Sequence, residues 1–225
     1  MNYTFIILGI ILLVIIYVLY TVFTEKKTSL ESSKSLASKE FKYADLKNPG
    51  SPKYYISIWL YVRTLPTTAT SVWYIHDSSI LVLGLYLDQS SNLYYKYGAT
   101  GERQDIMAGF PLQRWTHVIL SVDSNKLIDT YVDGKLMKSH TVPSSGLTQL
   151  SASSILYEAE NSTSLLQAEI AGFERVPSVM DPKTAWQKYL AGNGGNVFSR
   201  FFKTWGISLV LTKDDVDQNA LSFPS

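Results

Sequence analysis

The chain has 225 residues, and 20 Lys and Arg against 19 Asp and Glu leave a net charge of +1. A charge this close to zero gives no electrostatic reason to expect nucleic acid as a partner. It contains no cysteine, whereas secreted domains of this size often carry disulfides. Aromatic residues are abundant while only 17% of residues are charged, which favours a strand-rich domain with much of its surface covered.

The first predicted element is an unbroken apolar run, Phe5–Phe23, without charge or proline. As a helix, its 19 residues would reach about 28 Å, close to the thickness of a bilayer's hydrocarbon core. A cleaved signal peptide is the alternative, but no basic residue precedes the run, the run is long, and no small-residue cleavage site follows it. We therefore predict a transmembrane anchor at residues 1–23, and its representative lipid-facing and interfacial residues are Phe5, Ile6, Leu12, Ile16, Tyr17, Tyr20 and Phe23.

The charges that flank this run predict its orientation. No Lys or Arg precedes it, whereas Lys26, Lys27 and Lys34 follow closely. The positive-inside rule therefore predicts that the C-terminal part lies on the cytoplasmic side. Residues 24–40 are polar and rich in Ser and Lys. We predict that they form a juxtamembrane linker, because they hold too few large apolar groups to build a core.

Residues 41–192 are predicted to form one domain, followed by a C-terminal extension at 193–225. Period-two alternation and turn residues predict strands in the domain, with Asp133-Gly134 as a two-residue turn that requires positive φ. Asp181 as N-cap, Pro182 in the first turn and Gly192 as a stop predict a short helix. Many short strands with polar turns indicate a β-sandwich or a closed sheet. The predicted strands are Tyr55–Val62, Leu81–Leu87, Leu93–Tyr97, Trp115–Val122, Leu127–Val132, Lys135–Val142, Ser153–Tyr157, Ser164–Phe173 and, in the extension, Ile207–Thr212.

Three segments, in order, resemble a known family. The strand Trp115–Val118 followed by the Tyr131–Gly134 hairpin resembles the centre of laminin-G-like, concanavalin A-type jelly rolls. The segments Tyr54–Pro66 and Ala168–Gly192 resemble an early core strand and the closing strand with its helix. The resemblance covers about residues 40–192 and implies an all-β sandwich jelly roll with one short C-terminal helix. It implies little about function, because this fold hosts lectins, glycosidases, adhesion modules and structural domains.

A jelly roll with an N-terminal anchor and a Gly- and Asn-rich tail is also similar to structural proteins of large double-stranded DNA viruses that carry an internal membrane. This resemblance implies a minor capsid protein, located between the internal membrane and the capsid shell. Its partners would be the membrane and other capsid or structural proteins. Such a protein would tether the membrane to the shell through contacts of its jelly roll.

Residues for catalysis or for a cofactor do not emerge from the sequence. Glycosidases of this fold carry paired carboxylates on one strand, whereas Glu158 and Glu160 run into a polar turn and are predicted to be solvated. The histidines have no metal-ligand spacing, and His117 is predicted to be a packed or hydrogen-bonded structural residue. The resemblance implies calcium at the sandwich rim in some relatives. Nothing selects among the rim carboxylates that could bind it, which are Asp88, Asp123 and Asp133.

Sugar binding is the alternative function. Lectin sites stack a sugar on an open aromatic ring beside polar groups, and Trp73, Tyr95 and Tyr97 are candidates for contact with a glycan or a partner. Packing of these rings against protein is the competing interpretation. The sequence thus predicts a non-enzymatic, membrane-anchored structural protein, with a membrane-anchored lectin-like surface protein as the alternative.

Overall fold

The computed structural model describes residues 12–13, 29–143, 146–159, 166–193, 209–213 and 216–221, with side chains described within 12–13, 35–143, 146–159 and 166–193. The predicted anchor Phe5–Phe23 lies outside the described residues except for Leu12 and Leu13, which are helical and exposed. No helix within the described ranges is both long and apolar enough to cross a membrane. The anchor therefore stays a prediction.

The domain is built from β-strands and one short α-helix, as predicted. The predicted strands of the domain are confirmed with shifts of a few residues at their ends. Five strands were not predicted, and they are Ser29–Ser35, Lys39–Lys42, Thr70–Asp77, Glu102–Met107 and Val216–Leu221. Bulges interrupt the alternation in Thr70–Asp77, and Glu102–Met107 is mostly polar. The strands are β1 Ser29–Ser35, β2 Lys39–Lys42, β3 Tyr54–Val62, β4 Thr70–Asp77, β5 Ile80–Leu87, β6 Leu93–Tyr97, β7 Glu102–Met107, β8 Trp115–Asp123, β9 Leu127–Val132, β10 Lys135–Thr141, β11 Ser154–Glu158, β12 Ala168–Val176, β13 Leu209–Lys213 and β14 Val216–Leu221.

Two six-stranded antiparallel sheets form the sandwich. The first sheet has the order β1-β12-β3-β8-β9-β10, and the second has the order β2-β11-β4-β5-β6-β7. Strands β13 and β14 form a separate hairpin, so the predicted strand Ile207–Thr212 is found slightly later, at Leu209–Lys213. Side chains of both large sheets pack in one shared core, which confirms the all-β sandwich part of the predicted fold.

The core lies between the two large sheets. Alternation along β3 points Ile56, Ile58 and Leu60 inward, where each is at most 1% exposed. They pack in one cluster with apolar side chains of the second sheet, such as Leu83 and Leu85. Each such side chain contributes about 1.5–3 kcal/mol on burial, so this cluster stabilises the sandwich.

The predicted linker is in part a structural element of the domain. Strand β1 pairs with β12 at the edge of the first sheet, and β2 pairs with β11 at the edge of the second sheet. The prediction that all of 24–40 is linker is therefore wrong for 29–35 and 39–40. An edge strand is held by main-chain hydrogen bonds on one side, so a polar sequence suffices to form it.

The helix α1, Pro182–Ala191, covers part of the outer face of the first sheet, which is the face turned away from the core. Its predicted signals are confirmed: Asp181 Oδ1 accepts a hydrogen bond from the Thr184 N–H at 3.0 Å, and Gly192 has φ 77°. A second apolar cluster joins the helix to the sheet, and it comprises Tyr55, Ile119, Tyr131, Met180 and Ala185. The outer face is therefore covered at one end and open at the other.

Candidate functional site

The three aromatic residues predicted as contact candidates lie inside the sandwich. Trp73 and Tyr95 are fully buried and Tyr97 is 3% exposed. The Tyr97 hydroxyl donates to Glu102 Oε2 at 2.6 Å. Rings enclosed between two sheets cannot stack on a ligand from solvent. The prediction that these three residues contact a glycan or a partner is therefore wrong, and they are core residues. Trp73 and Ile75 are core residues while Tyr74 between them is partly exposed, so plain alternation along β4 places Trp73 inside.

A different aromatic pair is open to solvent. Tyr61 on β3 and Trp115 on β8 are direct cross-strand partners on the outer face of the first sheet. Their ring centroids are 5.5 Å apart with the ring planes tilted by 51°, and both side chains are partly exposed. They point outward because their neighbours Val62 and Thr116 point into the core. The pair forms an angled aromatic surface at the open end of this face.

Polar side chains surround this aromatic pair. Together they line a cavity of about 510 Å³. Thr64 Oγ1 donates to Gln167 Oε1 at 3.2 Å, which orients the hydroxyl. Gln113 has φ 52°, and its N–H donates to the Val62 carbonyl at 2.7 Å. The lining residues, called the Trp115 site below, are Tyr61, Arg63, Thr64, Gln113, Trp115 and Glu169.

An ion pair sets the electrostatics of the Trp115 site. The Arg63 guanidinium donates to the Glu169 carboxylate, and this hydrogen bond raises the pKa of Arg63. Arg63 therefore stays charged while the pair as a whole is neutral. Aromatic rings beside hydrogen-bond donors and acceptors are suited to a ligand that has an apolar face and many hydroxyl groups.

A second cavity of about 160 Å³ lies on the same face, beside the C-terminal end of α1. Ser57 and His117 form part of it, both 2% exposed, with Ser57 Oγ 2.8 Å from His117 Nε2. The Trp59 indole stacks on the His117 ring at 4.7 Å and on the Tyr189 ring at 5.8 Å. The predicted packed, hydrogen-bonded role of His117 is confirmed.

The Ser57–His117 pair has the nucleophile-to-base distance of a hydrolase. His117 Nδ1 has no hydrogen-bond partner in the described part of the chain, so no carboxylate orients the ring there. Burial and the nearby Lys188 lower the pKa of His117 to about 4. An imidazole with so low a pKa is a weak general base at neutral pH.

The sequence model of the concanavalin A-like lectin/glucanases superfamily matches residues 40–176. The chain belongs to this superfamily. The match contains both sheets' central strands and the Trp115 site. Comparison with curated protein sequences found no match.

Solved structures share the lectin/glucanase fold of this chain. The ligand-binding domain of botulinum neurotoxin serotype D in complex with N-acetylneuraminic acid has a TM-score of 0.58 at 12% identity, covering 75% of this chain and 44% of that one. The binding domain of botulinum neurotoxin DC in complex with rat synaptotagmin II has a TM-score of 0.55 at 12% identity, covering 72% and 42%. A Trypanosoma rangeli sialidase has a TM-score of 0.57 at 14% identity, covering 75% and 28%. This chain thus spans less than half the length of each.

The outer face of the second sheet carries further aromatic residues. Tyr74 stacks on Tyr157 at 4.8 Å and Tyr86 on Tyr94 at 5.6 Å. The Arg103 guanidinium lies 3.7 Å from the Tyr94 ring centroid, and Tyr94 is only 1% exposed. The Arg103 cation therefore covers the Tyr94 ring, whereas Tyr74, Tyr86 and Tyr157 are partly exposed.

The rim carboxylates considered for calcium each pair with a basic side chain. Arg103 contacts Asp88 at 3.2 Å, Lys53 contacts Asp123 at 3.2 Å, and Arg114 pairs with Asp133. Within the described residues, no three His, Cys, Asp or Glu side chains converge on a common point. Glu158, predicted to be solvated, is instead fully buried, and its Oε1 accepts from the Ala37 N–H at 3.3 Å.

The sequence analysis did not predict the Trp115 site, although the outward direction of its two aromatic side chains could have been predicted. The alternation that puts Ile58, Leu60 and Val62 inside also puts Tyr61 outside, and Trp115 alternates in the same way with Thr116. Alternation does not show which strands pair with each other. It therefore does not show that the two rings are adjacent. The role of Gln113 depends on a loop with positive φ, for which its residue type gives no indication.

Proposed function

We propose that this chain is a non-catalytic carbohydrate-binding protein that uses the Trp115 site and is held to a membrane by the predicted N-terminal anchor. The observation that carries the proposal is the partly exposed Tyr61–Trp115 pair, with ring centroids 5.5 Å apart, within a cavity rich in polar side chains. The C–H face of a sugar ring packs on an aromatic face, while its hydroxyl groups hydrogen-bond to the polar residues around it.

The polar groups favour a neutral sugar. Arg63 supplies donors and Glu169 supplies acceptors, but each already compensates the charge of the other. A sugar carboxylate would have to displace Glu169 from Arg63 and leave a glutamate without its partner. Hydroxyl groups can accept from the guanidinium and donate to the carboxylate while the ion pair stays intact.

The known structures support binding as one use of this fold. Two of them hold N-acetylneuraminic acid or rat synaptotagmin II, but at 12% identity they carry no residue of their sites over to this chain. The proposal therefore rests on the arrangement of Tyr61, Trp115, Arg63 and Glu169.

The test is binding of the full chain, in detergent micelles, to an array of immobilised glycans. Trp115→Ala is expected to lower binding at least tenfold, because the sugar loses its stacking contact with the indole ring and the apolar area buried by that contact. Trp186→Ala is the matched control, since Trp186 is a tryptophan on α1, 42% exposed and outside the site. Absence of glycan binding, or equal loss in both variants, would refute the proposal.

A structural tether between a membrane and a protein shell is the second candidate. What favours it is an apolar face of α1, where Trp186 and Leu190 are one helical turn apart and are 42% and 64% exposed. Cross-linking mass spectrometry on native particles or membranes tests it. A partner protein that is lost with Trp186→Ala but retained with Trp115→Ala would favour the tether over sugar binding.

The two candidates differ in where the domain must be. The flanking lysines predict the cytoplasmic side, whereas a surface lectin requires the opposite topology or an exposed location. Asn161 begins an Asn-Ser-Thr sequence, which is an acceptor for lumenal glycosylation. Glycosylation at Asn161 would show that the domain reached the lumen, and it would overturn the cytoplasmic prediction.

A further inference from the structure

The cavity beside the C-terminal end of α1 is built from three strands and the helix. Ser57 and Trp59 come from β3, His117 from β8, and Gly172 and Glu174 from β12. The end of the helix closes it with Lys188, Ala191 and Gly192. At about 160 Å³ it is much smaller than the Trp115 site, which has about 510 Å³. It is therefore suited to one chemical group rather than to a whole sugar.

Gly172 keeps this cavity open. It lies in the bulge where β12 shifts its register against β3, and it has φ 54°. A Cβ there would lie 3.4 Å from Trp59 Cδ1. The bulge therefore leaves a space against the Trp59 indole that a side chain would occupy.

The cavity offers donors, acceptors and an apolar wall. Lys188 Nζ lies 2.5 Å from Glu174 Oε1, which gives a donor and an acceptor side by side. His117 Nε2 is occupied by Ser57, while His117 Nδ1 is buried without a partner among the described residues. Such an orphaned buried atom retains capacity for a hydrogen bond. Trp59 and Ala191 provide apolar surface.

The cavity is adjacent to the Trp115 site. Trp59 and His117 lie two residues from Tyr61 and Trp115 on the same strands and are themselves cross-strand partners. Two residues along a strand correspond to about 6.6 Å. A substituent on a sugar ring stacked at Tyr61 and Trp115 is therefore within reach of the cavity.

We infer that this cavity receives the acetamido group of an N-acetylated sugar whose ring lies in the Trp115 site. This inference rests on the proposed carbohydrate binding and names the sugar class. An acetamido group has one N–H donor, one carbonyl acceptor and a methyl group. Glu174, Lys188 and Trp59 supply the three complementary features, and a hydroxyl group would leave the apolar wall unfilled.

The experiment is fluorine NMR of the full chain in detergent micelles, labelled with 5-fluorotryptophan. The Trp59 signal reports on the cavity, the Trp115 signal reports on ring stacking, and Trp186 on α1 serves as an internal control. The probes are D-glucose, 2-acetamido-2-deoxy-D-glucose, the corresponding galactose pair, and N-methylacetamide alone. We expect the N-acetylated sugars to shift both reporter signals, the parent sugars to shift Trp115 only, and N-methylacetamide to shift Trp59 only.

Affinity gives a second measure. The buried methyl group and one additional hydrogen bond should make the N-acetylated sugar bind about tenfold more tightly than its parent. Ala191→Leu fills the cavity at an exposed helix end and is expected to remove this preference while affinity for the parent sugar is unchanged.

The outcomes separate the two hypotheses. A shift of Trp115 without Trp59 for the N-acetylated sugars, or a preference that survives Ala191→Leu, refutes the acetamido cavity and leaves sugar binding in place. A shift of Trp59 with N-methylacetamide, when no sugar shifts Trp115, supports the cavity chemistry and refutes the proposed function. If no probe shifts either signal, both are refuted.

Discussion

The turn between β9 and β10 should be unusually sensitive to a single added methyl group. Gly134 has φ 75°, and the turn lies directly beneath α1. A Cβ at Gly134 would lie 2.9 Å from Tyr189 Cβ and 3.0 Å from Trp186 Cα. The second of these atoms belongs to the helix backbone, so the whole helix has to move to admit the methyl group in Gly134→Ala.

Two costs add in this variant. Placing a non-glycine residue in the left-handed region costs about 1–2 kcal/mol, and overpacking costs about 1–3 kcal/mol. The free energy of unfolding should therefore fall by about 2–5 kcal/mol. At about 2–4 °C per kcal/mol for a chain of this size, Tm should fall by roughly 4–20 °C.

Gly98→Ala is the matched control. Gly98 has nearly the same φ, 73°, but nothing lies within 4 Å of its Cβ position. It should therefore show only the backbone cost, about 1–2 kcal/mol. Thermal unfolding followed by circular dichroism measures both variants. Equal destabilisation by the two substitutions would refute the packing of α1 on this turn.

Three further predictions concern stability and order. Because the folded state holds the pKa of His117 at about 4 against the usual 6.5, only the unfolded chain is protonated between these values. Urea titrations should thus show stability falling from pH 6.5 to pH 4 by up to about 3 kcal/mol, and His117→Gln should flatten this part of the profile. Arg175 donates to the carbonyls of Lys47 and Pro49 at 3.2 and 2.9 Å, so Arg175→Met should speed trypsin cleavage at Lys47, whereas the exposed Arg63→Met should not. Hydrogen exchange should find protected amides in β1, and rapid exchange throughout 29–35 would contradict its pairing with β12.

The fold was predictable because its determinants are local. Alternation along β3 and the Asp133-Gly134 turn each depend on a few neighbouring residues, and the helix depends on Asp181 and Gly192 at its two ends. The structure has φ 49° at Asp133 and 75° at Gly134, as this turn requires. Period two and turn chemistry were therefore sufficient for these elements.

The candidate site was not predictable in the same way, because it depends on contacts between distant residues. Trp115 acquires its role from Tyr61 across a strand pair, and Glu169 from Arg63, 106 positions away. The bulge in β12 also matters, because it leaves space at Gly172. A polar edge strand such as β1 is specified by the strand that it joins.

Strand β1 begins only a few residues after the predicted anchor. If the predicted anchor ends at Phe23, only residues 24–28 separate it from β1, which begins at Ser29. Even fully extended, five residues span at most about 18 Å. A connection this short would hold the domain near its own bilayer. Ligands displayed on that bilayer would then be present at a high local concentration. Weak affinity in solution would then suffice for nearly complete occupancy on the membrane.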